Sequence, residues 1–201
     1  MWAILHVQDL KALLGYLGIE KIHLIGISMG GSISIDFTLQ YPDSVGYLVL
    51  SGSSLNGFKP TLDDASRKRS SAGLSIATRD EQFNQSVEFM LEDPMWRQGN
   101  LKTKQNLKEM FMETSLGWCL DEMVQISDLP AYERLSEIKN KVLIIVGSED
   151  SRPIRETSRV LDSNIALAQK VVINGTGHLP NLDKPEEFNQ IVLSFLLEQN
   201  G

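Results

Sequence analysis

Apolar residues recur at three- and four-residue spacing near the start of the chain, at Ile4, Val7, Leu10, Leu13, Leu14 and Leu17. That period predicts a helix, and Gly18 supplies a stop. The apolar run over 21–27 is too short for a helix and predicts a buried strand. Residues 29–41, "MGGSISIDFTLQY", predict a helix that ends before Pro42, because the residue ahead of a proline avoids helical geometry. Further buried strands are predicted over 45–53, 141–148 and 169–175, with a helix from about Pro153 to Leu161 between the last two. The closing stretch aligns Phe188, Ile191, Val192, Phe195 and Leu196 on one helical face, with Pro185 in its first turn.

Residues 56–130 differ in character. They are mostly polar with helical apolar spacing and predict an all-helical lid or cap insertion. The core is then expected over 1–55 and 131–201. Strands alternating with helices predict an α/β fold, a mostly parallel sheet of about four strands flanked by helices.

Composition narrows the function without fixing it. The 201 residues suffice for one sizeable domain, and 42% hydrophobic with 22% charged residues is ordinary globular usage. A net charge of −7 argues against nucleic acid or an anionic membrane as the main partner. The first residues are interrupted by Gln8, Asp9 and Lys11, and no run of ~18 apolar residues occurs, so a cytoplasmic location is expected. A single cysteine, Cys119, fits a reducing compartment. The three histidines, His6, His23 and His178, do not cluster with it, so metal binding is not expected; no organic cofactor is expected either.

Reactive groups of an α/β sheet belong just past the carboxyl ends of its strands. Ser28 follows the first predicted strand, an acid in "VGSED" follows the third, and His178 in "INGTGHLP" follows the fourth. Serine, acid and histidine in that order are the parts of a hydrolytic triad. Ser28 is framed by Gly26 and Gly30, as though a side chain at either would crowd a strained strand-to-helix turn. Such a turn aims the hydroxyl out of the sheet and brings the Met29 N–H to a helix start, where it can face a developing oxyanion. His178 would take the Ser28 proton during attack on an acyl carbon, and the acid would orient the imidazole. Either Asp150 or Glu149 can fill the acid position.

"LGIEKIHLIGISMGG", "LSEIKNKVLIIVGSED" and "GTGHLPNLDKPEEFNQIVLSFL" resemble the nucleophile, acid and histidine segments of α/β-hydrolase-fold proteins. The chain is most similar to small esterases, enol-lactonases and carbon–carbon bond hydrolases of that superfamily. The resemblance spans roughly residues 3–55 and 130–199. It implies Ser28, Asp150 and His178 as the triad, with Asp150 preferred over Glu149 by its distance from Gly147. It implies a small ester, lactone or related carbonyl as substrate, and some members of the superfamily perform cofactor-free perhydrolysis or halogenation. The family also carries further strands and a His-Gly loop with a second oxyanion donor ahead of the first helix. No H-G-x-P-G segment occurs in this sequence. The strand bearing Ser28 is therefore expected at a sheet edge, where a second copy of the chain could cover it, and an inactive dimerisation or binding module is the competing function.

Other residues have bland explanations. His23 reads as structural, and Cys119 beside Trp118 as packed. Phe89, Met90, Met95, Trp96, Met110, Phe111, Met112 and Trp118 fit helix packing better than an acyl pocket. "RKRSS" over 67–71 reads as a solvated face.

Overall fold

A computed structural model describes residues 6–64, 101–113 and 130–197. Helix α1 (His6–Leu17) leads into β1 (Ile22–Ile27), α2 (Met29–Gln40) and β2 (Val45–Ser51). After α3 (Leu101–Glu113) come β3 (Lys141–Gly147), α4 (Arg152–Asn164), β4 (Ala168–Ile173), the short α5 (Pro180–Asp183) and α6 (Pro185–Leu197). Two 3₁₀ turns, Pro42–Ser44 and Ala131–Glu137, went unforeseen because they carry no long apolar period. Arg67–Ser71, Phe89, Met90, Met95, Trp96, Trp118 and Cys119 lie outside the described residues.

The four strands form one sheet in the order β1-β2-β3-β4, and every pairing is parallel. Both faces of its centre are apolar, which is why the strands read as continuous hydrophobic runs. Leu48, Leu50, Val142 and Ile144 turn to one face and meet Ile35 of α2 and Leu161 of α4. Val49, Leu143, Ile145 and Ile173 turn to the other and meet Phe188, Val192 and Phe195 of α6. Each fully buried side chain of that size contributes about 1.5–3 kcal/mol.

Helix α1 packs on α2 through Val7, Leu10 and Leu14 against Phe37 and Tyr41. It ends as its glycine requires. Gly18 is left-handed at φ 67°, its N–H donates to the Gly15 carbonyl, and the Ile19 N–H donates to the Leu14 carbonyl at 2.9 Å.

Among the described residues β1 is hydrogen-bonded along one side only, so the strand leading to Ser28 is a sheet edge. Its Ile25 is 50% exposed. Register slips near its start, where Ile22 pairs with Val45 but Leu24 pairs with Leu48. His23 repairs the slip: its Nδ1 accepts the Tyr47 N–H at 2.9 Å, and its ring stacks on Tyr47 at 4.7 Å. That histidine is structural. Among the described residues no helix is long and apolar enough to cross a membrane.

Candidate active site

Only Ser28 separates β1 from α2, so one residue must turn the chain from strand to helix. It does so at φ 54° and ψ −116°, the only non-glycine with positive φ among the described residues. Such a conformation costs of order 1–3 kcal/mol and persists only where the surroundings over-determine it. Here the surroundings are hydrogen bonds. The Ser28 N–H donates to the Ser51 carbonyl at 3.0 Å, and the Ser28 carbonyl accepts the N–H groups of Gly31 at 3.0 Å and Ser54 at 3.2 Å.

The expected crowding holds on one side only. A Cβ on Gly26 would overlap the Gly30 carbonyl and lie 2.6 Å from the Ser34 hydroxyl, so Gly26 is required. At Gly30 a Cβ would meet no described atom within 4 Å, which corrects the expectation that both framing glycines answer to crowding. The tight position is Gly31, where a Cβ would collide with Ser53. The first turn of α2 presses Gly31, not Gly30, onto the segment after β2. Met29 opens α2, which places its N–H among the helix-start donors, and its side chain is 47% exposed.

Asp150 and His178 are in direct contact. His178 Nδ1 lies 3.0 Å from Asp150 Oδ2 and 3.2 Å from Oδ1, and the residues are 2% and 1% exposed. Asp150 Oδ1 also accepts the Ser151 N–H at 2.7 Å. A carboxylate can only accept from imidazole, so Nδ1 carries the proton and Nε2 is left as the basic nitrogen. Glu149 points elsewhere, exposed, and takes the Ser148 hydroxyl at 3.1 Å. The acid in contact with the histidine is Asp150.

Two loops make this contact possible. The Glu149 N–H donates to the Thr176 carbonyl at 3.0 Å, and the Gly175 N–H donates to Ser148 Oγ at 2.9 Å. Gly147 lets them close, since a Cβ there would overlap the Thr176 and Gly177 carbonyls. Behind the histidine, the Gly177 N–H donates to Asp183 Oδ2 at 3.0 Å. Helix α3 seats on the same turn, with the Thr103 hydroxyl donating to the Leu182 carbonyl at 3.2 Å and Leu107 buried.

The segment leading away from β2 is tied to the acid side as well. Glu156 accepts the Thr61 N–H at 2.7 Å and the Arg152 Nε–H at 2.9 Å, and Asp63 accepts the Arg152 N–H at 3.3 Å. The Thr61 N–H, followed by Arg152, holds the Glu156 carboxyl below its ordinary range. Asn56 donates its side-chain amide to Asp36, whose carboxyl is pushed up by burial against the opposing pull of that bond and of Arg134. The Tyr132 N–H meets the Asn56 carbonyl at 3.0 Å, so residues 56 and 132 are joined at the core surface.

Sequence reasoning placed Ser28, Asp150 and His178 at three strand ends, and the structure has them there. It missed the residues that connect them: Gly52, Ser54, Gly147 and Asp183. Gly52 was visible only as a stop to the second predicted strand and Gly147 only as the reference for the acid's spacing, and what they make room for is remote in sequence. Among the described residues no group of three His, Cys, Asp or Glu could hold a metal ion.

A family model described as "Alpha/beta hydrolase family" matches residues 2–191. A 2-hydroxy-6-oxononadienedioate/2-hydroxy-6-oxononatrienedioate hydrolase of Escherichia coli K12 is 31% identical over 204 residues, covering 96% of this chain and 68% of that one. A hydrolase structure from Pseudomonas aeruginosa PA01 superposes with a TM-score of 0.74 at 22% identity, over 95% of this chain and 70% of its own. A meta-cleavage product hydrolase from Pseudomonas fluorescens IP01 gives 0.64 at 24% identity, over 99% and 74%. These two structures share the fold.

Proposed function

We propose, from the premise that this chain belongs to the alpha/beta hydrolase family, that it is a serine hydrolase acting on a small ester, lactone or related carbonyl substrate. The observation that carries this reading is the buried Asp150–His178 pair, whose histidine lies against the same Ser51–Ser54 segment that is hydrogen-bonded to the positive-φ Ser28. In this mechanism Ser28 Oγ attacks the carbonyl carbon while His178 Nε2 takes its proton. Asp150 keeps the Nδ1–H tautomer and stabilises the imidazolium that forms. The Met29 N–H donates to the oxyanion at the positive end of α2. The tetrahedral intermediate then collapses, the leaving group takes the proton back from His178, and water activated by the same imidazole releases the acyl group from Ser28. The Escherichia coli relative is named as a hydrolase of a 2-hydroxy-6-oxo dienedioate or trienedioate, which supports a carbonyl substrate here. In this reading residues 56–130 provide the cap, and the seating of α3 on α5 supports it.

Fluorophosphonate labelling at Ser28, with p-nitrophenyl acetate turnover lost in Ser28→Ala, is the expected result. Folded protein that takes no label would overturn the reading. The competing function, a binding module paired with its own copy, draws on the β1 edge and the half-exposed Ile25. It expects an unlabelled protein that light scattering finds to be a dimer.

A further inference from the structure

The last residue of β2, Ser51, and the three that follow it, Gly52 to Ser54, touch both halves of the site. Ser51 and Ser54 grip the backbone of Ser28, one at its N–H and the other at its carbonyl. Between them Gly52, left-handed at φ 53°, donates its N–H to the Ile145 carbonyl at 3.0 Å and lies against His178. A Cβ built on Gly52 would stand 3.1 Å from His178 Nδ1, 3.1 Å from the His178 carbonyl and 3.2 Å from Cε1. Carbon settles at about 3.5–4.0 Å from such neighbours, so either the ring or the segment would have to move by a few tenths of an ångström. Both are fixed. His178 is buried and bonded to Asp150, and the segment is bonded to Ile145 and Ser28.

We propose that Gly52 is a positioning residue whose bare α-carbon acts as the spacer between nucleophile and base. This rests on the reading of Ser28 and His178 in those roles. The segment holds Ser28 by its backbone and meets His178 at the edge of its ring, so its thickness at residue 52 sets how far apart the two are. A side chain there presses on the Nδ1–Cε1 edge. Because Nδ1 is held by Asp150, the ring pivots about that contact, and the displacement is largest at the far side, where Nε2 lies.

Left-handed backbone alone penalises any side chain, so the test must separate that penalty from the contact. Gly18 provides the control, because it is also left-handed at φ 67° but a Cβ there meets no described atom within 4 Å. Gly52→Asn provides the second variant, since asparagine adopts the left-handed region readily yet still brings a Cβ. Wild type, Gly52→Ala, Gly52→Asn and Gly18→Ala are compared by the rate of fluorophosphonate labelling, by the downfield NMR signal of the His178 Nδ1–H, and by Tm. Both Gly52 variants are expected to label on the order of ten- to a hundredfold more slowly and to shift the Nδ1–H signal. Gly18→Ala is expected to change neither, even where its Tm falls. Gly52 variants with the wild-type signal, whether or not labelling slows, overturn the spacer. Should Gly52→Ala fail to fold, Gly52→Asn decides. If wild type takes no label, the hydrolase reading fails on its own, and the Nδ1–H signal still decides whether Gly52 places the ring.

Discussion

The two halves of the site are held by different means. Ser28 is part-exposed and fixed through its main chain, with the strain of a left-handed turn offset by hydrogen bonds to Ser51 and Ser54. His178 and Asp150 are buried and fixed through their side chains, each the other's partner. A serine placed by its backbone tolerates changes to its own side chain, whereas a buried pair cannot lose one member without stranding the other.

The strongest way to break this contrast is to treat the two halves alike. Asp150→Asn leaves the imidazole in place but removes the carboxylate that fixes its tautomer, and turnover is expected to fall by on the order of 10⁴. The same change should lower stability by about 1–3 kcal/mol, read by urea denaturation, because the buried Nδ1–H loses a charged acceptor. Ser28→Gly also abolishes labelling but is expected to raise stability by about 1 kcal/mol, since glycine relieves the left-handed strain. A Ser28→Gly protein less stable than wild type would remove the argument that the turn is strained.

The second experiment sharpens the backbone half. Gly26→Ala drives a methyl into the Gly30 carbonyl and is expected to cost about 1–3 kcal/mol and slow labelling. Gly30→Ala meets open space on a helix and should be neutral or stabilising by up to about 1 kcal/mol. Equal losses at the two positions would restore the symmetric crowding that the sequence suggested.

The smallest effect lies farthest from the chemistry. Glu156 is part-exposed, and its carboxyl is held below its ordinary range by the Thr61 N–H and Arg152. A depressed carboxyl contributes stability above its unfolded value and loses it as pH falls through the folded one. Glu156→Gln should therefore lower Tm slightly at neutral pH, and the gap from wild type should close on acidification. A gap that does not change with pH would show that the ties at Thr61 and Arg152 do not depend on charge.

These differences follow what could be read from the residues. The turn at Ser28 is local. A strand-length run, a lone serine and a following helix already require a sharp reversal, and Gly26 shows where the backbone closes on itself. His23 was legible as structural, though its bond to the Tyr47 N–H follows from a register slip that no apolar pattern encodes. Between Asp150 and Glu149 the residues alone left a choice, because both sit in the same exposed-looking loop. That choice was made by Thr176, 27 positions after Glu149, whose carbonyl takes the Glu149 N–H and leaves Asp150 to turn inward.

By itself the sequence determined the parallel sheet, the order of its elements and the placement of a serine, an acid and a histidine beyond three strand ends. Each of these depends on periodicity and on residues adjacent in the chain. Tertiary structure decided which carboxylate meets the imidazole and which glycines are indispensable. Gly147 is required because the Thr176 and Gly177 carbonyls lie on it, and a side chain at Gly52 would crowd the His178 ring. Close approach between segments far apart in the chain leaves no periodic trace in either one.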